Sequence, residues 1–297
     1  MTPLPDLHRH LDGSLRPATL RALAAAARVP LPDDIRFTPA MGLAEALARF
    51  RTTLACLTTP QALTRVAAEA CEDAAAEGIT TLELRFAPQL HAMSIADAID
   101  ATLEGIAGRA GLILCCLYGD PPALALELVR HAIPRRAIVA LDLAGAPAPH
   151  HAHAMRAYAD AFTLARRHDI GRTVHAAEGR PAAEITDAIT HLHAERIGHG
   201  TTLLDDPRAL DLVLTRDVVI EACPTSNHHT GATPSLTAHP LPRWLTLGVR
   251  ACVNTDNTLL SDTTAPEEHR RAAALPGMTP ALLARAVTTG HAAAFRR

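Results

Sequence analysis

Residues 60–86 read PQALTRVAAEACEDAAAEGITTLELRF, and this stretch holds a helical pattern followed by a strand pattern. The helical part, Pro60–Glu77, carries apolar residues on one face, at Leu63, Val66, Ala67 and Ala70. The strand part, Ile79–Phe86, is a short run of β-like character. The stretch therefore predicts one helix followed by one strand, which is the repeating unit of an α/β fold.

The same alternation extends along the whole chain. Most of the β-like runs are continuous apolar runs, as expected of parallel strands that are buried on both faces. The eight predicted strands are Leu4–His8, Ile79–Phe86, Leu112–Leu117, Ile138–Leu143, Arg172–His175, Arg196–His199, Val218–Ala222 and Val249–Asn254. Eight units favour a closed (β/α)8 TIM barrel over an open sheet, because no Gly-rich phosphate turn follows the first strand.

The segment Arg16–Thr59 is long for one crossover connection. It predicts two or three extra helices after the first strand that partly cover the barrel mouth. Residues 1–297 contain no low-complexity linker, and we expect a single domain.

Composition excludes several classes of partner. A net charge of −3 and 3% aromatic residues provide neither a basic field nor stacking platforms for a nucleic-acid polymer. The sequence shows no secretory signal pattern and no apolar run of transmembrane length, so we expect no membrane partner and a cytoplasmic location. Six cysteines in apolar stretches without C-x-x-C spacing are predicted to be reduced core residues.

Polar residues follow several predicted strands at the point where each strand ends. The first strand leads into His8 and His10, the fifth into His175, and the eighth into Asp256. Because active sites of barrels lie at the carboxyl ends of the strands, these side chains are expected to converge. Two imidazoles two positions apart on a strand point to the same face. With a third imidazole and a carboxylate they form a ligand set suited to one Zn²⁺ or a similar divalent metal.

Each of these residues also has a structural interpretation. An H-x-H pair arises easily by chance in a chain with 17 histidines. A histidine at a strand end is commonly a hydrogen-bonded structural residue, and Asp256 could cap a helix. The coincidence of all four at strand ends favours the metal site. Glu178, three residues after His175, and His199, at the end of the sixth strand, are candidate acid–base groups.

The ordered motifs closely resemble the adenosine deaminases of the amidohydrolase superfamily. They are HRHLDGSLRP at 8–17, ELRFAP at 83–88, DLAG at 142–145, HAAE at 175–178, ERIGHG at 195–200, CPTSN at 223–227 and NTDN at 254–257. The resemblance extends over nearly the whole chain. It implies zinc-dependent hydrolytic deamination of adenosine or 2′-deoxyadenosine to inosine or 2′-deoxyinosine and ammonia.

The resemblance also implies roles for individual residues. The metal ligands would be His8, His10, His175 and Asp256, and the catalytic residues Glu178, His199 and Asp256. Glu178 would protonate the purine N1, and His199 would orient and deprotonate the attacking water. For the substrate, Asp12 would bind the ribose 5′-hydroxyl, the Gly145 N–H would meet N3, and Asn257 would contact N7.

Two positions depart from the family pattern. Ala177 stands where the family carries glycine in His-Ala-Gly-Glu, so Glu178 would be displaced if that position requires a glycine conformation. Asn257 stands where many members carry aspartate. Its amide donates a hydrogen bond at every pH, so the contact to N7 is expected to survive.

Several alternatives remain open from the sequence. The substrate could be a related purine such as adenine, aminodeoxyfutalosine or an N6-substituted purine, or the chain could be a non-catalytic nucleoside-binding homologue. The histidines of the loop Ala146–His153 are interpreted as solvated, and those at His228 and His229 as solvated or in contact with substrate. The oligomeric state is not predicted.

Overall fold

The computed structural model describes residues 3–297, and its centre is one sheet of eight parallel strands. The strands, β1 to β8 in chain order, are Leu4–His10, Ile79–Phe86, Gly111–Leu117, Ile138–Ala144, Gly171–Ala176, Arg196–His199, Val219–Ala222 and Arg250–Val253. Each strand pairs with the next one along the chain. All eight predicted strands are confirmed, and β1 runs two residues further than predicted.

The sheet closes on itself between β1 and β8. The backbone N–H of His10 donates to the carbonyl of Asp256 at 2.7 Å, and the N–H of Asp256 donates to the carbonyl of His8 at 2.8 Å. Next to these bonds, the side-chain oxygen of Asn254 accepts from the N–H of Leu7 at 2.9 Å. The predicted (β/α)8 barrel is therefore confirmed, with a seam between its first and last strands.

Helices surround the barrel and connect successive strands. Those in the described residues, α1 to α12, are Pro17–Ala27, Leu43–Cys56, Pro60–Ala76, Ile95–Ile106, Pro122–Ala132, Ala159–Arg167, Ala183–His191, Pro207–Thr215, Pro224–His229, Leu241–Thr246, Ala265–Ala273 and Pro280–Ala293. The helices α1 and α2 precede α3 in the first crossover, which confirms the extra helices predicted there.

Local chemistry explains where the helices begin. Proline stands at the first helical position of α3 and α12, where its missing N–H costs nothing. The side chains of Thr59 and Thr279 accept the backbone N–H bonds that these helices leave free. In α3, Leu63 and Val66 lie in the apolar core between the helices and the barrel. Across residues 3–297, every helix is too short or too polar to cross a bilayer.

Candidate active site

The four predicted metal ligands meet at the carboxyl end of the barrel. His8 and His10 end β1, His175 lies next to the last residue of β5, and Asp256 lies just after β8. The Nε2 atoms of His10 and His175 are 3.2 Å apart. The Oδ1 atom of Asp256 is 3.7 Å from His8 Nε2 and 3.6 Å from His10 Nε2. The structure thus brings together side chains from three strands that the sequence separates widely.

Groups of potential ligand atoms overlap at this point. In one group, His8, His10 and Asp256 each offer an atom within 4.8 Å of the others, and in a second, His8 joins His175 and His199. A third group pairs Cys223 with His199 and Asp256. Burial raises the pKa of the Cys223 thiol well above its ordinary value, so this sulfur is a protonated thiol and a poor ligand.

Two carboxylates fix the ring tautomers of the candidate ligands. His8 Nδ1 lies 2.6 Å from Glu221 Oε2, and His175 Nδ1 lies 3.1 Å from Asp142 Oδ2. Each Nδ1–H donates to its carboxylate, and each Nε2 therefore turns a lone pair toward the cluster. This orientation is the one that a metal-binding histidine requires.

The electrostatics of the cluster fit a bound cation. Burial, followed by the charge of Arg85, lowers the pKa of His8 well below its ordinary value. Burial, followed by His175, does the same for His10. Neutral imidazoles are the form that binds metal. The Nε2 atom of His8 is buried and has no hydrogen-bond partner, which a metal ion would supply.

His175 differs from the other two imidazoles in its titration. Its burial favours the neutral ring, but the contact with Asp142 outweighs burial and raises the pKa of His175. Asp142 is buried as well, yet His175 and Arg85 hold its pKa below the ordinary value for aspartate. Asp142 therefore stays ionised and serves as a strong acceptor for the His175 ring.

Two buried arginines connect these carboxylates across the barrel interior. Arg85 of β2 contacts Asp142 at 2.9 Å and Glu221 at 2.8 Å. Arg196 of β6 contacts Glu221 at 2.7 Å and also pairs with Glu83. Since β2 and β7 are not neighbours, the Arg85–Glu221 contact must cross the inside of the barrel. This network was not predicted from the sequence, although a charged residue within an apolar strand, such as Glu221, indicates a buried ion pair.

Glu178 and His199 flank the ligand cluster. Thr230 donates to Glu178 Oε1 at 2.8 Å, and Glu178 Oε2 lies 3.9 Å from His199 Nε2. Burial raises the pKa of the Glu178 carboxyl, which favours its protonated form. Burial also lowers the pKa of His199 to about 4, so its ring is neutral. The two groups are thus a carboxyl group whose pKa is raised and a neutral imidazole, side by side.

The backbone of the site adopts a left-handed conformation at three residues that are not glycine. The φ angles are 56° at Ala177, 69° at His199 and 61° at Asp256. Such a conformation costs roughly 1–3 kcal/mol per residue and persists where the surroundings impose it. Ala177 therefore occupies a position that favours glycine, the residue that the family pattern carries there. Glu178 nevertheless lies beside the cluster, and the Ala177 N–H is held by Glu184 at 2.9 Å.

The three predicted substrate contacts all lie just after strands, at the carboxyl end of the barrel. Asp12, in a short helix directly after β1, is buried, its Oδ1 has no partner, and burial raises its pKa to about 7. Gly145 follows β4 with φ 75° and open space where a Cβ would lie. Asn257 packs against Gly13, where a Cβ would lie 2.1 Å from Asn257 Oδ1. Glycine at this position lets the Asn257 amide reach the site.

Other histidines named from the sequence lie outside the cluster. Within the described residues, the potential metal groups include none from the loop Ala146–His153. His228 and His229 end α9 and line a cavity of about 340 Å³ together with Phe37 and Ser261. Their side chains are partly buried, and both interpretations, surface exposure and contact with substrate, stay open for them.

Comparison with known proteins agrees with this geometry. A family model described as adenosine deaminase matches residues 3–296. The chain belongs to the adenosine deaminase family. This membership confirms the predicted enzyme class, a hydrolytic deaminase, and the resemblance on which it was based.

One relative and two solved structures are similar to this chain over most of its length. An adenosine deaminase from Enterococcus faecalis is 33% identical over 291 residues, covering 91% of this chain and 85% of the relative. Among solved structures, an adenine deaminase from Arthrobacter aurescens has a TM-score of 0.89 at 24% identity, covering 99% of this chain and 94% of its own. An amidohydrolase from Burkholderia ambifaria with bound Zn has a TM-score of 0.85 at 24% identity, covering 99% and 86%. The two structures show the shared fold.

Proposed function

We propose that the protein catalyses the hydrolytic deamination of adenosine to inosine and of 2′-deoxyadenosine to 2′-deoxyinosine, with release of ammonia. The observation that carries this proposal is the single cluster in which the candidate ligands, the Glu178 carboxyl with its raised pKa and a neutral His199 meet. Family membership over nearly the full length supports the same reaction. The buried cysteines, none of which forms a disulfide, agree with the proposed cytoplasmic location.

One Zn²⁺ would be held by His8, His10, His175 and Asp256. Three nitrogen donors and one oxygen donor suit zinc, and the inward lone pairs and the unpartnered Nε2 of His8 fit a cation. When bound, such an ion lowers the pKa of water and so supplies a nucleophile at neutral pH. The contacts of Glu221 and Asp142 would hold two of the ligand rings in the binding orientation.

Glu178 would donate a proton to N1 of the purine. A carboxyl group can donate only in its protonated form, and burial raises the pKa of Glu178 in the required direction. The hydrogen bond from Thr230 holds the Oε1 atom of Glu178, and the Asn227 side chain also contacts this carboxyl group. Protonation at N1 makes C6 a better electrophile for the attacking water.

Asp12, Gly145 and Asn257 would bind the nucleoside. The unpartnered Oδ1 of Asp12 can accept from the ribose 5′-hydroxyl. The backbone N–H of Gly145 would donate to N3, in a place where the absent side chain leaves room. The amide of Asn257 would donate to N7, and its Oδ1 is also without a partner. Groups left unpaired in this way reject ligands that cannot bond to them.

The test is the ultraviolet change when zinc-loaded protein is mixed with adenosine. We expect conversion to the inosine spectrum. Glu178→Gln keeps the shape of the side chain but cannot donate a proton, so its turnover should fall by about 10²–10⁴. Its zinc content and melting temperature should match those of the wild type.

Two outcomes would contradict the proposal. A wild-type protein that binds zinc but leaves adenosine and 2′-deoxyadenosine unchanged is not an adenosine deaminase, and a panel of adenine and N6-substituted purines would then identify the substrate. Loss of zinc in Glu178→Gln would contradict the role given to Glu178.

A further inference from the structure

A chain of hydrogen bonds leads from the backbone beyond α9 to His199. The N–H of Leu241 donates to Nδ1 of His239 at 3.2 Å. Nε2 of His239 lies 3.1 Å from Oδ1 of Asn227. Nδ2 of Asn227 lies 2.9 Å from Nδ1 of His199. Both intermediate side chains, His239 and Asn227, are buried. Asn227 also contacts the Glu178 carboxyl group, whereas His239 has no role in the reaction described above.

The direction of every bond in this chain follows from its first member. A backbone N–H can only donate, so Nδ1 of His239 must accept. Burial lowers the pKa of His239 to about 3, so the ring is neutral and its one proton is on Nε2. That N–H donates to Oδ1 of Asn227.

The orientation of the Asn227 amide is then determined. The reversed amide would place its NH₂ group against the Nε2–H of His239, donor against donor. The observed orientation instead directs Nδ2–H to His199, whose Nδ1 must accept. A neutral imidazole with an accepting Nδ1 carries its proton on Nε2.

The Nε2 atom of His199 is the one that faces the site, 3.9 Å from Glu178 Oε2. We propose that His239 is a positioning residue that acts through Asn227 to fix His199 as its Nε2–H tautomer. His199 then serves the deamination as a hydrogen-bond donor to the oxygen that adds at C6. It does not accept the proton of the attacking water. This inference rests on the proposed function and changes the role that the family resemblance implied for His199.

The assignment accounts for a second feature of the cluster. His199 lies among the potential ligand atoms, next to His8 and His175. A ring nitrogen that carries a proton has no lone pair for a metal. The Nε2–H tautomer therefore keeps His199 out of the ligand set, although it is close enough to join. The proton of the attacking water would pass instead to Asp256, the carboxylate that lies within the ligand cluster.

The first test measures the tautomer directly and needs no turnover. Nitrogen-15 spectra of histidine-labelled protein, recorded with and without zinc, distinguish protonated from unprotonated ring nitrogens. We expect a protonated Nε2 and an unprotonated Nδ1 for both His199 and His239, with His199→Gln and His239→Gln used to assign the signals. A protonated Nδ1 on His199 overturns the proposal.

The second test compares Asn227→Asp with Asn227→Ala. A carboxylate at position 227 can still accept from His239, but it requires a proton on Nδ1 of His199. The kinetic comparison is made where the nitrogen-15 spectrum of Asn227→Asp shows that Nε2 of His199 has lost its proton, as the reversed tautomer requires. Loss of one such donor to a developing oxyanion lowers kcat by about 10²–10³, and we expect this for Asn227→Asp. Asn227→Ala leaves both tautomers accessible and should retain more activity. A base at Nε2 would give the opposite order, so activity of Asn227→Asp equal to or above that of Asn227→Ala overturns the proposal.

The third test concerns His239 itself. In His239→Gln the amide can still donate to Oδ1 of Asn227, whereas His239→Leu leaves that amide free to turn. We expect kcat to fall in His239→Leu, KM to stay near the wild-type value, and His239→Gln to restore most of the loss. Equal kcat in all three proteins would remove His239 from the mechanism. Should the wild type fail to deaminate adenosine, the spectra would still decide the tautomer, so the two proposals can fail separately.

Discussion

The interior of the barrel and its carboxyl end both contain buried polar groups, but these groups differ in how they are paired. In the interior, Arg85 and Arg196 each contact two carboxylates and share Glu221, so their charges are paired although the Nε atom of each makes no hydrogen bond. At the carboxyl end, His8 Nε2 and Asp12 Oδ1 are buried and have no partner. The backbone differs too, since the left-handed residues of the site all follow or end strands there.

This difference separates what holds the barrel together from what the barrel prepares for a ligand. Buried charges are tolerated when they are paired, and an unpaired buried polar group costs roughly 1–3 kcal/mol. The interior network therefore avoids a large cost. The carboxyl end instead has unpaired buried polar groups as well as strained backbone. A bound metal and nucleoside would provide partners for the unpaired groups.

The largest expected effect comes from removing a ligand at the carboxyl end. His10→Ala should lose zinc and several kcal/mol of transition-state stabilisation, which is more than about 10³-fold in kcat/KM. Unfolding of the zinc-free proteins should show little difference, because the His10 ring makes one side-chain hydrogen bond, to His175 Nε2, and only a longer contact with Asp256. Metal analysis and urea unfolding in chelator would check both. A large loss of stability in zinc-free His10→Ala would break the comparison.

In the interior the expected effect is on stability. Glu221→Gln removes a charge that two guanidinium groups and His8 share, so the free energy of unfolding should fall by about 3–5 kcal/mol. Its control is Asp217→Asn, which breaks the exposed pair with Arg250 and should cost about 0–1 kcal/mol. Urea unfolding of both variants would give the two numbers, and similar values would show that the interior network does not stabilise the fold.

A smaller effect is expected at Asn257, where only the pH dependence should change. An aspartate there would donate to N7 only while protonated, and burial would raise the pKa of that carboxyl. As the pH rises through this pKa, the donor is lost and kcat/KM of Asn257→Asp should fall by roughly tenfold, the value of one hydrogen bond. The wild-type amide does not titrate. Parallel pH profiles of the two proteins would contradict a contact between Asn257 and N7.

The smallest effect is expected at Ala177. Ala177→Gly would relieve the left-handed strain at φ 56°, but it would also remove a fully buried methyl group. Strain relief and lost burial are each about 1 kcal/mol, so unfolding free energy should change by less than about 1 kcal/mol. The kcat value should be kept, because Glu178 is already beside the cluster. A marked gain in kcat would mean that alanine displaces Glu178 after all.

Much of this molecule could be predicted from its sequence. The strands are evident because they are short, mostly apolar runs at regular intervals, and the ends of Ile79–Phe86 and Arg196–His199 agree to the residue. The cluster of candidate metal ligands was predictable for a related reason. Strand ends of a parallel barrel meet at one face, so residues such as His175 and Asp256 are placed by topology alone.

The groups that orient the site were not predicted, because they depend on contacts between distant elements. Glu221 is one charged residue in a buried strand, and its partners Arg85 and His8 lie on other strands. His239 lies in a connection whose sequence shows no catalytic pattern. Its function depends on a chain of donors and acceptors that only the three-dimensional structure places in order.

The seam of the barrel has a consequence for the order in which the protein matures. Leu7 and Asn254, joined by a hydrogen bond across the seam, are 247 positions apart. A chain emerging from the ribosome therefore contains His8 and His10 long before Asp256 is made. A metal bound by all of these residues stabilises only the closed barrel, since it binds no form that lacks β8. Metal uptake at the proposed site would thus be a late event, and it would report that the last strand has docked against the first.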